Sequence, residues 1–354
     1  MTTMKGAYLP GDFTAVVRDV PVPAPGPGQM LLRVGASGIC GSDLSYIYRG
    51  HKTHTGQDGA AYKNVVAGHE PSGEVVEVGP GCRRFGVGDR VIVYHIVGCG
   101  LCSNCRRGHM ISCSVPEHRA AYGWQRDGGH AEYILVEEQS CVPLPGELSF
   151  VDGALIACGF GTAYEGLLRT GLGGRDDLLV VGLGPVGLAA AMIARGLGAV
   201  RVLGVERSPE RASYARTLDL FDEVVIADDG VAEALDEATG GRGCSVAMDC
   251  SGSSAGRGVA IRGAAEWGRI SLVGEGGRLE TEVSDMLLHR QLTLYASWVT
   301  SIPAMEELAG NLVRWGASPQ RLVTDVLPLD KADEAYRLAD SGRTGKICLV
   351  PSLT

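Results

Sequence analysis

The sequence predicts an α/β protein of two domains, a β-rich one followed by a doubly wound parallel sheet. Three observations carry this expectation. A chain of 354 residues exceeds one ordinary compact core and suits two. Up to Phe150 the apolar runs "MLLRVGASGIC", "SGEVVEVG", "DRVIVYHIV" and "HAEYILV" are short, β-branched or alternating, and bounded by Gly, Pro and Asp. Beyond Phe150 strand-like runs alternate with helical ones, the pattern of a parallel sheet.

The later elements follow in order. "SFVDGALIACGFGTAYEGLLR" has apolar residues at mixed three and four spacings and reads as helix. A strand "DLLVVGLG", a helix through "LAAAMIARGLG", a strand "VRVLGVE", a helix "SPERASYARTLD" and a strand "EVVIA" come next. A helix "GVAEALDEATG" precedes the strands "CSVAMDCSG" and "GRISLVGE". Past Tyr295 the chain returns through "AMEELAGNLVRWG" and "ADEAYRLAD" to a last strand, "GKICLVP". The expected divisions are 1–155, containing a cysteine lobe at 98–113, then 156–295, then a return over 296–354.

Composition narrows the classes. Hydrophobic residues are 45% and charged residues 21%, a globular balance, and the 52 glycines show no Gly-X-Y repeat, which excludes collagen. Such glycine density suits tight turns and close backbone approach to a ligand. The net charge of −9 argues against a nucleic-acid partner, and Arg83-Arg84 and Arg106-Arg107 are only pairs, expected to be solvated loop charges. "MTTMKGAYLPGDF" has no apolar run of signal-peptide length. The apolar stretch Leu178 to Ala194 is broken by "GLGPVG" and is expected to be strand, turn and helix, not a membrane span. A cytoplasmic protein is expected, in which the eleven cysteines serve as thiols and metal ligands.

"VVGLGPVG" sets Gly182, Gly184 and Gly187 in G-x-G-x-x-G spacing between an apolar strand and a helix, with Pro185 and Val186 inside the turn. The first glycine makes the turn, the second admits a pyrophosphate to the backbone, and the third packs helix on strand. The helix N-terminus supplies N–H groups to the phosphates. Glu206 ends the next strand, where an acid binds ribose hydroxyls and repels a 2′-phosphate, so NAD is expected over NADP. Arg207 and Arg211 follow as further cofactor-side candidates, Arg207 placed to relieve part of that repulsion.

"GCGLCSNCRRGHMISC" crowds Cys99, Cys102, Cys105 and Cys113 into one loop. Four thiolates at this spacing suit tetrahedral zinc, and a closed shell adds folding energy while leaving no position for water or substrate. An open site needs fewer ligands. Its candidates are scattered: Cys40 in "GICGSDL", His69 and Glu70 in "GHEPSGEV", and Cys158 in "ACGFGTAYEG".

From Lys5 to Pro351 the chain resembles the zinc-containing medium-chain alcohol dehydrogenases, on the motifs "GICGSD", "AGHEPSGEVVEVGPG", "VGDRVIV", the four-cysteine lobe, "DGGHAEY", "GLGPVG" and "GKICLVP". The resemblance implies a GroES-like catalytic domain and a Rossmann domain, two zinc ions per chain, NAD, a small-molecule alcohol or ketone, and a homodimer or homotetramer. It implies a catalytic zinc on Cys40, His69 and a third ligand, and "CGFGT" matches the variant in which that ligand is a cysteine, Cys158. Glu70 matches an outer or transient ligand, Asp43 the acid orienting the histidine, and Thr162 a residue beside the nicotinamide. Ser42 matches the hydroxyl that takes the substrate proton before hydride leaves for NAD.

Two departures bear on the substrate. Where many relatives carry a relay histidine this chain has a place near Ser45, and His51 and His54 lie in an insertion-like run, "RGHKTHTGQDGAAYK". His95 in "YHIVGCG" matches a cleft position where threonine dehydrogenases also carry histidine. With His130, Tyr46, Tyr122 and Trp124 it is expected to form a polar, aromatic wall. Such a wall suits a secondary alcohol on a sugar, polyol or amino alcohol better than ethanol. The alternatives are an L-threonine or simple secondary alcohol dehydrogenase. From another class comes a redox-sensing or nucleic-acid-binding zinc-ribbon protein, which the acidic balance and the scattered ligands oppose.

Overall fold

The computed structural model describes residues 2–53 and 61–351. The chain divides into two units, Met1–Cys158 with Ser301–Thr354, and Gly159–Thr300. The borders expected after residues 155 and 295 thus fall after Cys158 and Thr300, and Cys158 stays with the first unit.

In the first unit β1 (Thr3–Tyr8) pairs antiparallel with β2 (Val16–Pro21). Then come β3 (Gln29–Gly38), β4 (Glu70–Val78), β5 (Arg90–Val93), the short pair β6 (Ile96–Val97) and β7 (Ala120–Ala121), β8 (Tyr133–Glu137) and β9 (Cys141–Pro143). Met30, Leu32 and Val34 of β3 meet Val75, Val91, Val93, Ile134 and Val136 in one core, which explains the β-branched runs. The helix Phe150–Leu155, capped by Ser149, lies so close on β3 that a Cβ on Gly35 would stand 2.2 Å from the Phe150 ring.

The second unit is a six-stranded parallel sheet of β10 (Asp177–Val181), β11 (Arg201–Glu206), β12 (Glu223–Ile226), β13 (Cys244–Asp249), β14 (Ala264–Leu272) and β15 (Thr293–Ala296). Their order is β12-β11-β10-β13-β14-β15, so the order reverses between β10 and β13. Leu178, Leu179, Val180 and Val181 are all buried, as strands covered on both faces require. The apolar stretch from Leu178 is therefore β10, a turn and the helix Pro185–Gly196. Among the described residues no helix is long and apolar enough to cross a membrane. One helix, Ser254–Gly263, is absent from the sequence expectation because Gly256, Gly258 and Gly263 dilute its pattern. The Ser253 side chain caps it, and Val259, Ala260 and Ile261 anchor its buried face.

The chain then re-enters the first unit through the helix Ile302–Trp315, β16 (Val323–Pro328), the helix Ala332–Asp340 and β17 (Lys346–Val350). The larger sheet runs β16-β17-β3-β4-β5-β9, with β8 also on β3. β17 pairs antiparallel with the end of β3, Cys348 opposite Gly38, and Ile39 N–H donates to the Ile347 carbonyl at 3.0 Å. The last strand thus flanks the two residues that precede Cys40.

Candidate metal and dinucleotide sites

The four cysteines of the lobe point inward, their sulfurs within 4.8 Å of one another and Cys99 Sγ 3.9 Å from Cys105 Sγ. A tetrahedron with Zn–S of about 2.3 Å has edges of about 3.8 Å, so the cluster fits that ion. Backbone N–H groups of Cys99, Cys102 and Cys105 donate to Cys113, Cys99 and Cys102 sulfurs at 3.4, 3.3 and 3.5 Å. The Cys105 amide pulls the Cys102 thiol down to about 5, whereas burial pushes Cys105 up to about 12. Gly98 must be small, since a Cβ there would stand 2.6 Å from Cys105 Sγ.

A second cluster brings together Cys40, His69, Glu70 and Cys158, again within 4.8 Å. Cys40 caps the short turn Gly41–Asp43, and its N–H donates to Asp43 Oδ2 at 3.2 Å. A carboxylate only accepts, so His69 Nδ1 carries the proton it shares with Asp43 Oδ1 at 2.8 Å, and Nε2 is the nitrogen that becomes a lone-pair donor when a cation displaces its proton. Cys158 sits on a π-helical turn, Ile156–Phe160, that interrupts the helices on either side. Glu70, the first residue of β4, meets Lys346 Nζ in an ion pair whose side chains are almost fully buried. A Cβ on Gly38 would stand 2.1 Å from Glu70 Oε2, so glycine there keeps room for that pair.

The electrostatics favour a cation. A hydrogen bond from Cys158 holds the Cys40 thiol well below its usual range, while Cys158 is pushed well above. Burial opposes charge on His69, yet Asp43 and Cys40 hold its pKa well above the ordinary value. Burial raises Glu70 to about 7 against the pull of Lys346. With Glu70 and Lys346 offsetting each other, two sulfurs and one imidazole remain. That is a three-ligand set that could hold a divalent zinc and leave a position open.

The other expected residues separate. His95 is 6% exposed, its ring centroid 5.1 Å from that of His69, and its Nδ1 donates to the Ala157 carbonyl at 3.1 Å. Burial lowers its pKa to about 3, so the ring is neutral and Nε2 is an acceptor. Ser42 is half-buried on the turn after Cys40, and Tyr46 is half-buried with its ring 5.9 Å from Trp124. Trp124, expected in the wall, instead directs its indole N–H at Asp43 Oδ1, 3.2 Å away. Tyr122 is no wall residue either, for it is fully buried and its hydroxyl is bonded to the Glu137 carboxylate and amide. His130 has 0% exposure and bonds Tyr336 Oη at 3.0 Å, a core position and not a lining one. His51 Nε2 is held by the Leu9 carbonyl at 2.8 Å, and His54 lies outside the described residues. Lys346 is the residue that sequence reasoning missed. Its signal was a lysine opening an apolar strand, which burial tolerates only when the charge is paired.

In the second unit the glycine-rich turn leaves β10 at the point where the strand order reverses. Gly182 has φ +90, and a Cβ on Gly187 would stand 2.0 Å from the Gly182 carbonyl. A Cβ on Gly184 would meet no other described residue within 4 Å beyond its chain neighbours, so this side of the backbone is open, and Pro185 opens the helix with Gly184 as its cap. The half-buried Val186 completes the first turn. Glu206 is buried, one oxygen accepting from Leu183 N–H at 2.7 Å and the other from Arg207 and Ser208 N–H at 2.8 and 2.9 Å. Arg207 is exposed, whereas the buried Nε of Arg211 has no hydrogen-bond partner among the described residues. Thr162 is half-buried on the first turn of the helix Gly161–Thr170.

Comparison with known proteins follows these lines. Residues 26–146 match the alcohol dehydrogenase GroES-like domain, and residues 185–315 the zinc-binding dehydrogenase family. The zinc-type alcohol dehydrogenase-like protein YphC of Escherichia coli is 50% identical over 351 residues, 99% of each chain. A sorbitol dehydrogenase of Halalkalibacterium halodurans is 29% identical with 95% of each chain covered, and an L-threonine 3-dehydrogenase of Pyrococcus abyssi 30% with 95% and 94% covered. The alcohol dehydrogenase TADH from Thermus sp. ATN1 superposes with a TM-score of 0.86 at 28% identity, covering 98% of this chain and 99% of that one. Matched by both family models and half identical to a zinc-type relative over 99% of each chain, this protein belongs to the zinc-containing medium-chain alcohol dehydrogenases.

Proposed function

We propose that the protein oxidises a secondary alcohol on a sugar, polyol or amino alcohol, with NAD as hydride acceptor and two zinc ions per chain. The catalytic zinc would be held by Cys40, His69 and Cys158, the structural one by Cys99, Cys102, Cys105 and Cys113. When bound, zinc supplies a Lewis acid for the substrate oxygen, and NAD supplies the site that accepts hydride. Around them the chain's own residues divide the work. Asp43 keeps His69 in the tautomer that presents Nε2. Ser42 Oγ takes the substrate hydroxyl proton and passes it outward. Lys346 holds the Glu70 charge away from the ligand set. In the second unit the turn Gly182–Gly187 and the helix start at Pro185 receive the pyrophosphate, and Glu206 accepts from the ribose hydroxyls. Six of the eleven cysteines stand in the two clusters, which supports a reducing compartment such as the cytoplasm.

The observation that carries the substrate class is His95. Its Nδ1–H is spent on Ala157, so its Nε2, beside the His69 ring, accepts a hydrogen bond and selects a substrate with a second hydroxyl or an ammonium group. L-Threonine, the substrate named in one relative, satisfies the same requirement and is the second reading. A panel of sugars, inositols, amino alcohols, L-threonine and plain secondary alcohols, followed by NADH absorbance, tests this. In His95→Phe, kcat/KM on the best polar substrate is expected to fall about 10- to 1,000-fold while a plain secondary alcohol holds or rises. Equal loss on both would place His95 in the proton path or the fold instead.

A further inference from the structure

We propose that Trp124 is a positioning residue, its indole N–H fixing the Asp43 carboxylate in the orientation that presents His69 Nε2 to the catalytic metal. The assignment rests on the reading of Cys40, His69 and Cys158 as ligands. Asp43 has no exposed surface, so its oxygens are satisfied by protein donors alone. Among the described residues these are three N–H groups: His69 Nδ1 at 2.8 Å and Trp124 Nε1 at 3.2 Å on Oδ1, and the Cys40 amide at 3.2 Å on Oδ2. Two of these donors belong to ligand residues and would move with them. Trp124 is the third, and it comes from a separate segment of chain.

That geometry matters because one imidazole contact leaves a carboxylate free to turn about its terminal torsion, which is broad and roughly two-fold. The Cys40 amide holds one oxygen and the indole the other, so the carboxylate plane is held from both ends. Trp124 Nε1 also lies 3.3 Å from His69 Nδ1, and the indole stands edge-on to the imidazole with ring centroids 6.2 Å apart at 78°. The indole therefore packs against the imidazole as well as donating to its carboxylate partner.

The loop is built to deliver the ring there. Gly123 has φ +75 and lies against Gly68, the residue before His69. A Cβ on Gly123 would come within 2.6 Å of the Gly68 backbone. Lys63 N–H donates to the Trp124 carbonyl at 2.8 Å, and Gln125 Nε2 to the Ala61 carbonyl at 2.6 Å, fixing the loop on both sides of the tryptophan. At 7% exposure, the indole has its only polar atom turned toward Asp43 and offers no donor to a substrate.

The test replaces Trp124 in the full chain by phenylalanine and, by codon suppression, by benzothienylalanine, an isostere with sulfur in place of N–H. Metal-free protein is titrated with Co²⁺ against a chromophoric chelator, reading the two sites by their thiolate charge-transfer bands. The isostere is expected to weaken the Cys40–His69–Cys158 site about 3- to 10-fold, the loss of one hydrogen bond, while the four-cysteine site is unchanged. Trp124→Phe should weaken it at least as much. Wild-type affinity in the isostere, whatever phenylalanine does, would overturn the proposal, since only packing would then be at work. A wild-type chain holding one metal, with Cys158→Ala unaltered in metal content, would overturn the ligand reading and the Trp124 assignment with it.

Discussion

Lys346 and Glu70 meet as a buried ion pair although they stand near opposite ends of the chain, one opening β17 and the other opening β4. Both strands abut β3, and Gly38 at its end has no side chain to intervene. Breaking such a pair from one side strands a charge in the interior, which typically costs about 3–5 kcal/mol. Lys346→Met should lower the unfolding free energy by about 3 kcal/mol, measured by urea denaturation. The double variant with Glu70→Gln should recover more than half of that. Unchanged stability in the single variant would mean that Glu70 finds another partner.

The two metal clusters should fail in different ways. Cys158→Ala is expected to lose one metal per chain and nearly all turnover while melting close to wild type. Cys102→Ser is expected to melt lower, because the binding energy of a closed thiolate site is also folding energy. Metal analysis and calorimetry of both variants check this. A stable but inactive Cys102 variant would reverse the assigned roles.

Glu206 is held by three backbone N–H groups, one of them in the glycine-rich turn. Glu206→Ala should weaken NAD binding about 10- to 100-fold, the range for hydrogen bonds to a charged acceptor. It should also narrow the ratio of kcat/KM for NAD over NADP, since the charge that repels a 2′-phosphate is gone. An unaltered ratio would remove Glu206 from the ribose site.

Burial lowers the His130 pKa to about 4, below its ordinary 6.5. Between those values the unfolded chain binds a proton that the folded chain refuses, so stability present above pH 6.5 is lost as pH falls toward 4. From pH 7 to pH 5 this is about 2 kcal/mol. His130→Gln does not titrate, and its stability should fall by about that much less over the same interval. Parallel slopes in urea denaturation would show that the imidazole gains its proton without cost.

What could be read from the sequence was whatever depends on local spacing. The Gly182–Gly187 turn, the Cys99–Cys113 lobe and the alternation of strand and helix beyond Phe150 each follow from a few neighbouring residues. The helix Ser254–Gly263 escaped because its glycines mask a short buried face that a cap and tertiary contacts stabilise. Side-chain direction escaped more often. Tyr122, Trp124 and His130 are polar aromatics near the right motifs, and a single sequence does not tell a wall from a wedge behind it. Here the hydroxyl finds Glu137, the indole finds Asp43 and the imidazole finds Tyr336. Lys346 needed the register of β17 on β3, which no local pattern encodes.

The return of the chain to its first unit sets a schedule for synthesis. Residues 159–300 form one uninterrupted stretch, whereas the end of β3 at Ser37 and Gly38 lacks its β17 partner until the last residues are made. Until Lys346 emerges, Glu70 lacks its ion-pair partner beside the thiols of Cys40 and Cys158. For most of translation the four cysteines of the lobe are therefore already made while the second cluster still lacks Cys158 or its Lys346 neighbour. If both clusters take zinc as proposed, the lobe has all four of its sulfurs by Cys113, before Cys158 and then Lys346 complete the surroundings of Cys40.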